Sequence, residues 1–357
     1  MHVSINIHTL QVAGVVSFYM SAALVMVFVN KAVLSNSPDL PLLFLLVQLL
    51  IAVVLLHVSA AISHRVEIPK FEWEVAKKLI PVVLVNIVGL VFNTLCLRGV
   101  EASYFQIARG LQLPLTICVS SIHTRCIPSI KTIVAAILVS LGFFVGVAPS
   151  TALPLFASPT SITLFYGILS SLFIALHAVL IKSSLPHCEN STIQLAWWTN
   201  VGSAVFLFPF VVFNGELQIL RANFVEGSWN GNVFAWGCLV TGIFGFLLCV
   251  AGLLSIKVTS PVTHMFSSAA RSVLQTILGV YIFHDILTVN RISSILIILG
   301  GTMYYTWVKS CEFIPSQPQP VDLESAPRSS LMMETHDSKI HTVVWSVDEE
   351  EKQEAHR

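Results

Sequence analysis

Leu40-Pro41-Leu42-Leu43-Phe44-Leu45-Leu46-Val47-Gln48-Leu49-Leu50-Ile51-Ala52-Val53-Val54-Leu55-Leu56-His57-Val58-Ser59-Ala60-Ala61-Ile62-Ser63 holds no charged side chain. A helix needs about 20 such residues to cross the hydrocarbon core of a bilayer. Runs of the same kind recur along the chain, near residues 12–30, 79–97, 103–122, 130–148, 161–181, 192–213, 230–255, 260–283 and 292–308. Turn-forming segments such as Ser35-Asn36-Ser37-Pro38-Asp39 and Pro149-Ser150-Thr151 separate them. The expectation is an all-α integral membrane protein with ten transmembrane helices.

Composition agrees. Of 357 residues, 55% are hydrophobic and 11% are charged, where a soluble domain carries roughly 25% charged residues. A net charge of +0 gives no electrostatic reason to expect nucleic acid as a partner. The seven cysteines are scattered, with no CxxC or Cys/His spacing, so neither a disulfide framework, a metal nor a cofactor is expected. Residues 1–11 read as a short N-terminal tail. Residues 311–357 turn rich in Pro, Ser, Glu and Gln and read as a disordered C-terminal tail.

Basic residues orient the chain. Arg65, Lys70, Lys77, Lys78, Arg125, Lys131, Lys182, Lys257 and Lys309 fall on one side of the expected spans, and Lys31, Arg98, Arg221 and Arg291 on the other. Positive charge concentrates on the cytosolic side, so both termini and both tails are expected in the cytosol. The Asn190-Ser191-Thr192 sequon then faces the cytosol, where no glycan is added.

Two stretches of the chain resemble each other. Leu97-Arg98, Ser103, Ala108-Arg109, His123 and Leu141-Gly142 recur as Ile256-Lys257, Ser260, Ala270-Arg271, His284 and Leu299-Gly300-Gly301. The chain thus divides into a five-helix repeat over 12–148 and a second over 161–310. An odd number of helices per repeat inverts the second in the membrane. Such inverted repeats are typical of transporters that bind solute near the midplane.

Arg109 and Arg271 occupy equivalent positions well inside their spans. A charge at the bilayer centre costs about +2.5 to +3.5 kcal/mol on insertion scales. One arginine could snorkel to an interface; two at matching positions fit a cavity better. None of the nineteen acidic residues lies within a span, so an external anion is the natural counter-ion. The planar guanidinium fork suits phosphate. Without membrane carboxylates or a GxxxxGK motif, coupling to protons, sodium or ATP is not expected, which leaves uniport or exchange of an anionic solute. Asn30, Asn93, Gln106, Asn200, Thr263, His264, Ser267 and Ser268 could bind the rest of the solute. Tyr104, Trp197, Trp198 and Phe266 could stack on a base, whereas His57 and His177 read as packing residues.

At these residues the chain resembles the nucleotide-sugar and triose-phosphate branch of the drug/metabolite transporter superfamily, and within it the GDP-fucose transporters. The likeness runs through Val27-Phe28-Val29-Asn30-Lys31, Phe92-Asn93-Thr94-Leu95-Cys96-Leu97-Arg98, Thr259-Ser260-Pro261-Val262-Thr263-His264 and Tyr305-Thr306-Trp307-Val308-Lys309. It implies a multi-pass Golgi protein, with the endoplasmic reticulum as the alternative membrane. It further implies exchange of a cytosolic nucleotide sugar for a nucleoside monophosphate, no enzymatic activity, and Lys31 as a further substrate-binding candidate. A homodimer is compatible with it. Related GDP-mannose transporters carry Phe-Tyr-Asn-Asn on helix seven and Gly-Ala-Leu-Asn-Lys on helix nine. Here Trp197-Trp198-Thr199-Asn200 keeps only the final Asn, and Ser267-Ser268-Ala269-Ala270-Arg271 keeps the basic end. Phosphate binding therefore carries over through Arg271, while base and sugar identity stay open. A sugar-phosphate/phosphate exchanger and, remotely, a membrane enzyme acting on a lipid-linked sugar are the alternatives.

Overall fold

Inside hydrocarbon every backbone N–H and C=O must be satisfied within the protein, and a helix does this locally. A computed structural model describes residues 7–63, 66–148, 161–226, 229–258 and 261–312. The described residues are helical with short connections: α1 Ile7–Asn36, α2 Pro41–Ile62, α3 Trp73–Gly99, α4 Ala102–Ala108, α5 Gln112–Thr124 and α6 Ile130–Val147. After the undescribed connection follow α7 Ser161–Ser184, a 3-10 turn Leu185–Cys188, α8 Thr192–Phe213, α9 Glu216–Glu226, α10 Gly231–Val258, α11 Pro261–Phe283 and α12 Val289–Glu312. The C-terminal tail lies outside the described residues.

Seven of these helices are long and apolar enough to cross a membrane: α1 to α3, α6 to α8, and α10. Their outer faces expose Val54, Ile137, Phe144, Phe208, Phe210 and Phe213. So much apolar surface would be a liability in water and suits lipid. The stretches expected as the fourth and tenth spans fall short for reasons visible in their residues, while the ninth, α11, has its described apolar part over Arg271–Phe283. The helix expected over 103–122 is broken between α4 and α5. α11 carries Arg271, Ser272, Gln275 and Thr276 on a single helix, and α12 carries Asn290, Arg291, Ser293 and Ser294.

α6 lies along α12, α3 along α7, and α1 along α10; α2 packs on both α8 and α10, α3 also on α8, and α4 on α11. The main core joins Leu34 of α1, Leu40 and Phe44 at the start of α2, Phe105 of α4, and Leu207 and Val211 of α8. Polar contacts thread through it. Gln48 donates to Asn30 Oδ1 at 2.8 Å and Thr241 Oγ1 at 2.6 Å, and Asn86 donates to Ser203 Oγ at 3.1 Å.

α9 was not expected from the sequence, and its first residue explains its placement. A helix N-terminus leaves backbone N–H groups without intrahelical partners, and α2 has no side-chain cap of its own. Glu216, fully buried, accepts from Leu42 N at 3.2 Å, Leu43 N at 2.6 Å and Asn214 Nδ2 at 3.0 Å. Burial pushes its carboxyl pKa above the ordinary value, against the downward pull of those three donors. Trp229 Nε1 donates to Ser37 Oγ at 2.9 Å beside it, so the end of α1 and the starts of α2, α9 and α10 share one end of the bundle. Glu216→Gln should leave two backbone donors sharing one acceptor and bring an amide N–H against them. The expected loss is about 1–3 kcal/mol, read as a lowered melting temperature of the purified protein in detergent.

Candidate functional site

Arg109 sits at the break between α4 and α5. Pro114 falls in the first turn of α5, where its missing N–H costs nothing, so the sequence favours a new helix start at Gln112. Gly110 lies in the break, and a Cβ there would stand 2.7 Å from Ile298 Cδ1 of α12. Broken helices at the midplane are how transporters present half-helix ends and side chains to a solute. The Arg109 guanidinium lies 5.4 Å from the Phe105 ring centroid, and its Nη2 donates to Gln112 Oε1 at 3.3 Å. Its Nε is buried with no hydrogen-bond partner among the described residues.

A cavity of about 220 Å³ opens beside it, lined among others by Asn86, Asn93, Arg109 and His177. Asn93 accepts from Ser170 Oγ at 3.4 Å. A second cavity of about 320 Å³ is lined by Gln48, Thr192, Asn200 and Thr241, and Leu90 borders both. Asn200 donates to Ala196 O at 2.7 Å, one turn back along α8.

Arg271 of α11 places its guanidinium 6.0 Å from the Tyr19 ring centroid, and its Nε also has no partner among the described residues. Neither arginine forms an ion pair among the described residues; the pairs found there are Lys77–Glu74, Arg98–Asp39 and Arg291–Glu101. A buried guanidinium without an ion-pair partner favours a bound anion.

Three nominated residues are engaged by other groups of the bundle. Asn30 is held by Gln48. Lys31 donates to the carbonyls of Leu97 at 3.1 Å, Arg98 at 3.3 Å and Val100 at 2.5 Å, placing a cation on the last turn of α3, where helix polarity favours one. Tyr104 is buried beneath Arg291, whose guanidinium lies 4.9 Å from its ring. Trp197 and Trp198 meet edge-on at 5.1 Å, and Trp198 packs into a separate core with Leu79, Val82 and Leu195. The side chains of Thr263, His264, Phe266, Ser267 and Ser268 lie outside the described residues.

Lys31 and Arg291 belong to one construction around the α3–α4 turn. Arg291, with its side chain 3% exposed, pairs with Glu101 and donates to Ile286 O at 2.6 Å. Gln275 of α11 donates to Ala102 O at 3.0 Å, and Phe28 stacks on Phe283 with centroids 6.0 Å apart. Residues 97–102 are thus gripped by α1, α11 and α12 together. Glu101 and Arg291 stand 190 positions apart in the chain.

Comparison with known proteins settles the family. The model of the Triose-phosphate Transporter family matches residues 10–306. The chain belongs to that family. Members are transporters rather than enzymes, which removes the membrane-enzyme alternative. The chain is 28% identical over 302 residues to GDP-fucose transporter 1 of Dictyostelium discoideum, covering 83% of this chain and 80% of that protein. It is 30% identical over 331 residues to GDP-fucose transporter 1 of Monosiga brevicollis, covering 90% and 95%. It is 26% identical over 322 residues to a Drosophila melanogaster protein named GDP-fucose transporter, Golgi, covering 87% and 93%. Within this transporter family, the helix break at Arg109 and the cavities beside it are the natural place to look for the solute.

Proposed function

We propose that this chain is a Golgi nucleotide-sugar antiporter, taking a GDP-sugar such as GDP-fucose from the cytosol in exchange for nucleoside monophosphate. The observation that carries the proposal is the pair Arg109 and Arg271, each with a buried, unpartnered Nε and without an acidic partner among the described residues. The names of the similar proteins supply the GDP-sugar, and the third supplies the Golgi. Arg109 and Arg271 hold the phosphoryl groups. Asn93 lines the cavity beside them, and Asn200 the adjoining one.

The architecture that serves this function is ten spans in two inverted five-helix repeats: α1, α2, α3, α4 with α5, and α6, then α7, α8, α10, α11 and α12. The packing supports it. Exchanging the halves turns the α3–α7 contact into α10–α1 and the α2–α10 contact into α8–α3, while α6–α12, α2–α8 and α4–α11 map onto themselves. The internal polar contacts follow the same exchange, since Gln48–Thr241 joins α2 to α10 and Asn86–Ser203 joins α3 to α8. With the termini in the cytosol, the grip on residues 97–102 closes the lumenal end, and releasing it opens that end.

Reconstitution in proteoliposomes tests the exchange. GMP inside the vesicles should raise GDP-fucose uptake several-fold over empty vesicles, and inorganic phosphate should not. Stimulation by inorganic phosphate alone would favour the sugar-phosphate exchanger and end the nucleotide-sugar proposal.

A further inference from the structure

Arg109 is not alone in its cavity. His177, on α7, lines the same space, and its Nε2 is buried with no hydrogen-bond partner among the described residues. Arg109 Nε is in the same condition. A polar atom buried without a partner weakens a fold, and such atoms call for an explanation. Two of them on side chains that line one cavity of about 220 Å³ have a common one: a ligand that draws both towards it.

We propose that His177 is a further solute-binding residue, its Nε2–H donating to an oxygen of the phosphoryl group that Arg109 holds. A neutral imidazole carries one N–H donor and one acceptor. In that form the ring adds a directional donor without adding charge. Phosphoryl oxygens accept from both groups at once, as an apolar or cationic solute could not.

The other half offers a counterpart. α7 lies along α3 as α1 lies along α10, and α1 brings Tyr19 to Arg271 just as α7 brings His177 to the Arg109 cavity. Each arginine is therefore attended by a polar ring from the opposite half. An anion held by Arg109 and His177 bridges the two halves, which couples occupancy of the site to their relative position.

This inference rests on the anion-site proposal, and the experiment separates the two. Binding of GMP, guanosine and inorganic phosphate is measured on the full-length protein in detergent, with wild type, Arg109→Ala, His177→Ala and His177→Gln. We expect His177→Ala to weaken GMP and inorganic phosphate by about tenfold and to leave guanosine unchanged. His177→Gln, which keeps an N–H donor, should recover part of the loss. Unaltered GMP binding in both His177 variants, with Arg109→Ala impaired, overturns this inference alone. Equal losses for guanosine and GMP also overturn it, because the contact would then lie on the nucleoside. Unaltered GMP binding in Arg109→Ala removes the anion site itself. Should His177→Ala fail to fold, the Gln variant alone decides: it keeps a donor without the ring's geometry, so GMP affinity should fall partway while guanosine affinity holds, and unaltered GMP affinity overturns the inference.

Discussion

Arg271→Ala is expected to abolish exchange, and Arg271→Lys to retain part of it. A guanidinium holding a phosphoryl group bidentately makes two charge-assisted bonds, each worth roughly 1.5–3 kcal/mol. Their joint loss lowers transport by about two orders of magnitude or more. Lysine restores the charge but not the planar fork, so it recovers attraction without geometry. The two arginines should not be equivalent. Arg109 already donates to Gln112 and lies against Phe105, and its alanine variant is expected to lose less. The measurement is GMP-stimulated GDP-fucose uptake in proteoliposomes, normalised to reconstituted protein. Full activity of Arg271→Ala would remove it from the site. Because neither arginine has an ion-pair partner among the described residues, the alanine variants leave no orphaned carboxylate there, and a loss of transport reports on the solute rather than on folding.

Reversing either charge of the Glu101–Arg291 pair should lower transport by more than tenfold, and reversing both should restore a substantial part. Removing one partner of a buried ion pair costs about 3–5 kcal/mol, and here the cost falls on the conformation in which α12 grips the α3–α4 turn. Glu101→Arg or Arg291→Glu therefore shifts the bundle towards the state in which this end is open. Since exchange needs both states in turn, holding one of them slows it. Glu101→Arg combined with Arg291→Glu re-forms the pair in the reverse sense. Recovery should be incomplete, because Arg291 also donates to Ile286 O and lies on the Tyr104 ring. A cysteine in place of Ala102, buried in the gripped state, gives the independent readout. Its labelling by a membrane-impermeant maleimide should rise in each single reversal and fall again in the double. Additive loss in the double, with unaltered labelling throughout, would make the pair a static brace. Lys31 should behave differently, since its partners are backbone carbonyls that no charge reversal can match.

The membrane helices were legible because their signal is local. An apolar run satisfies its own backbone and meets lipid, so residues 40–63 announce α2 without reference to the rest of the chain. Arg109 and Arg271 were legible for the same reason, as charges inside apolar runs with no acid nearby in sequence. The break at Arg109 was only half-legible: Gly110 and Pro114 were present, but Pro114 in a first turn and Pro81 or Pro209 inside intact helices look alike in one dimension. Packing separates them, because Gly110 abuts Ile298 of α12.

What the sequence could not decide was which polar group meets which. Lys31 stood in a motif resembling transporter binding sites, yet its ammonium reaches the end of α3. Glu101 and Arg291, 190 positions apart, join the α3–α4 turn to α12. Glu216 caps a helix 173 residues earlier in the chain. His177, an unremarkable histidine in an apolar run, shares a cavity with Arg109 because α7 lies along α3. Hydropathy and helix formation depend on neighbours a few residues away, so sequence alone determined the apolar helices and picked out the two arginines within apolar runs. Ion pairs, caps and cavities depend on atoms brought within about 3 Å of one another from distant parts of the chain. Only the tertiary structure decided which cations are already paired among the described residues.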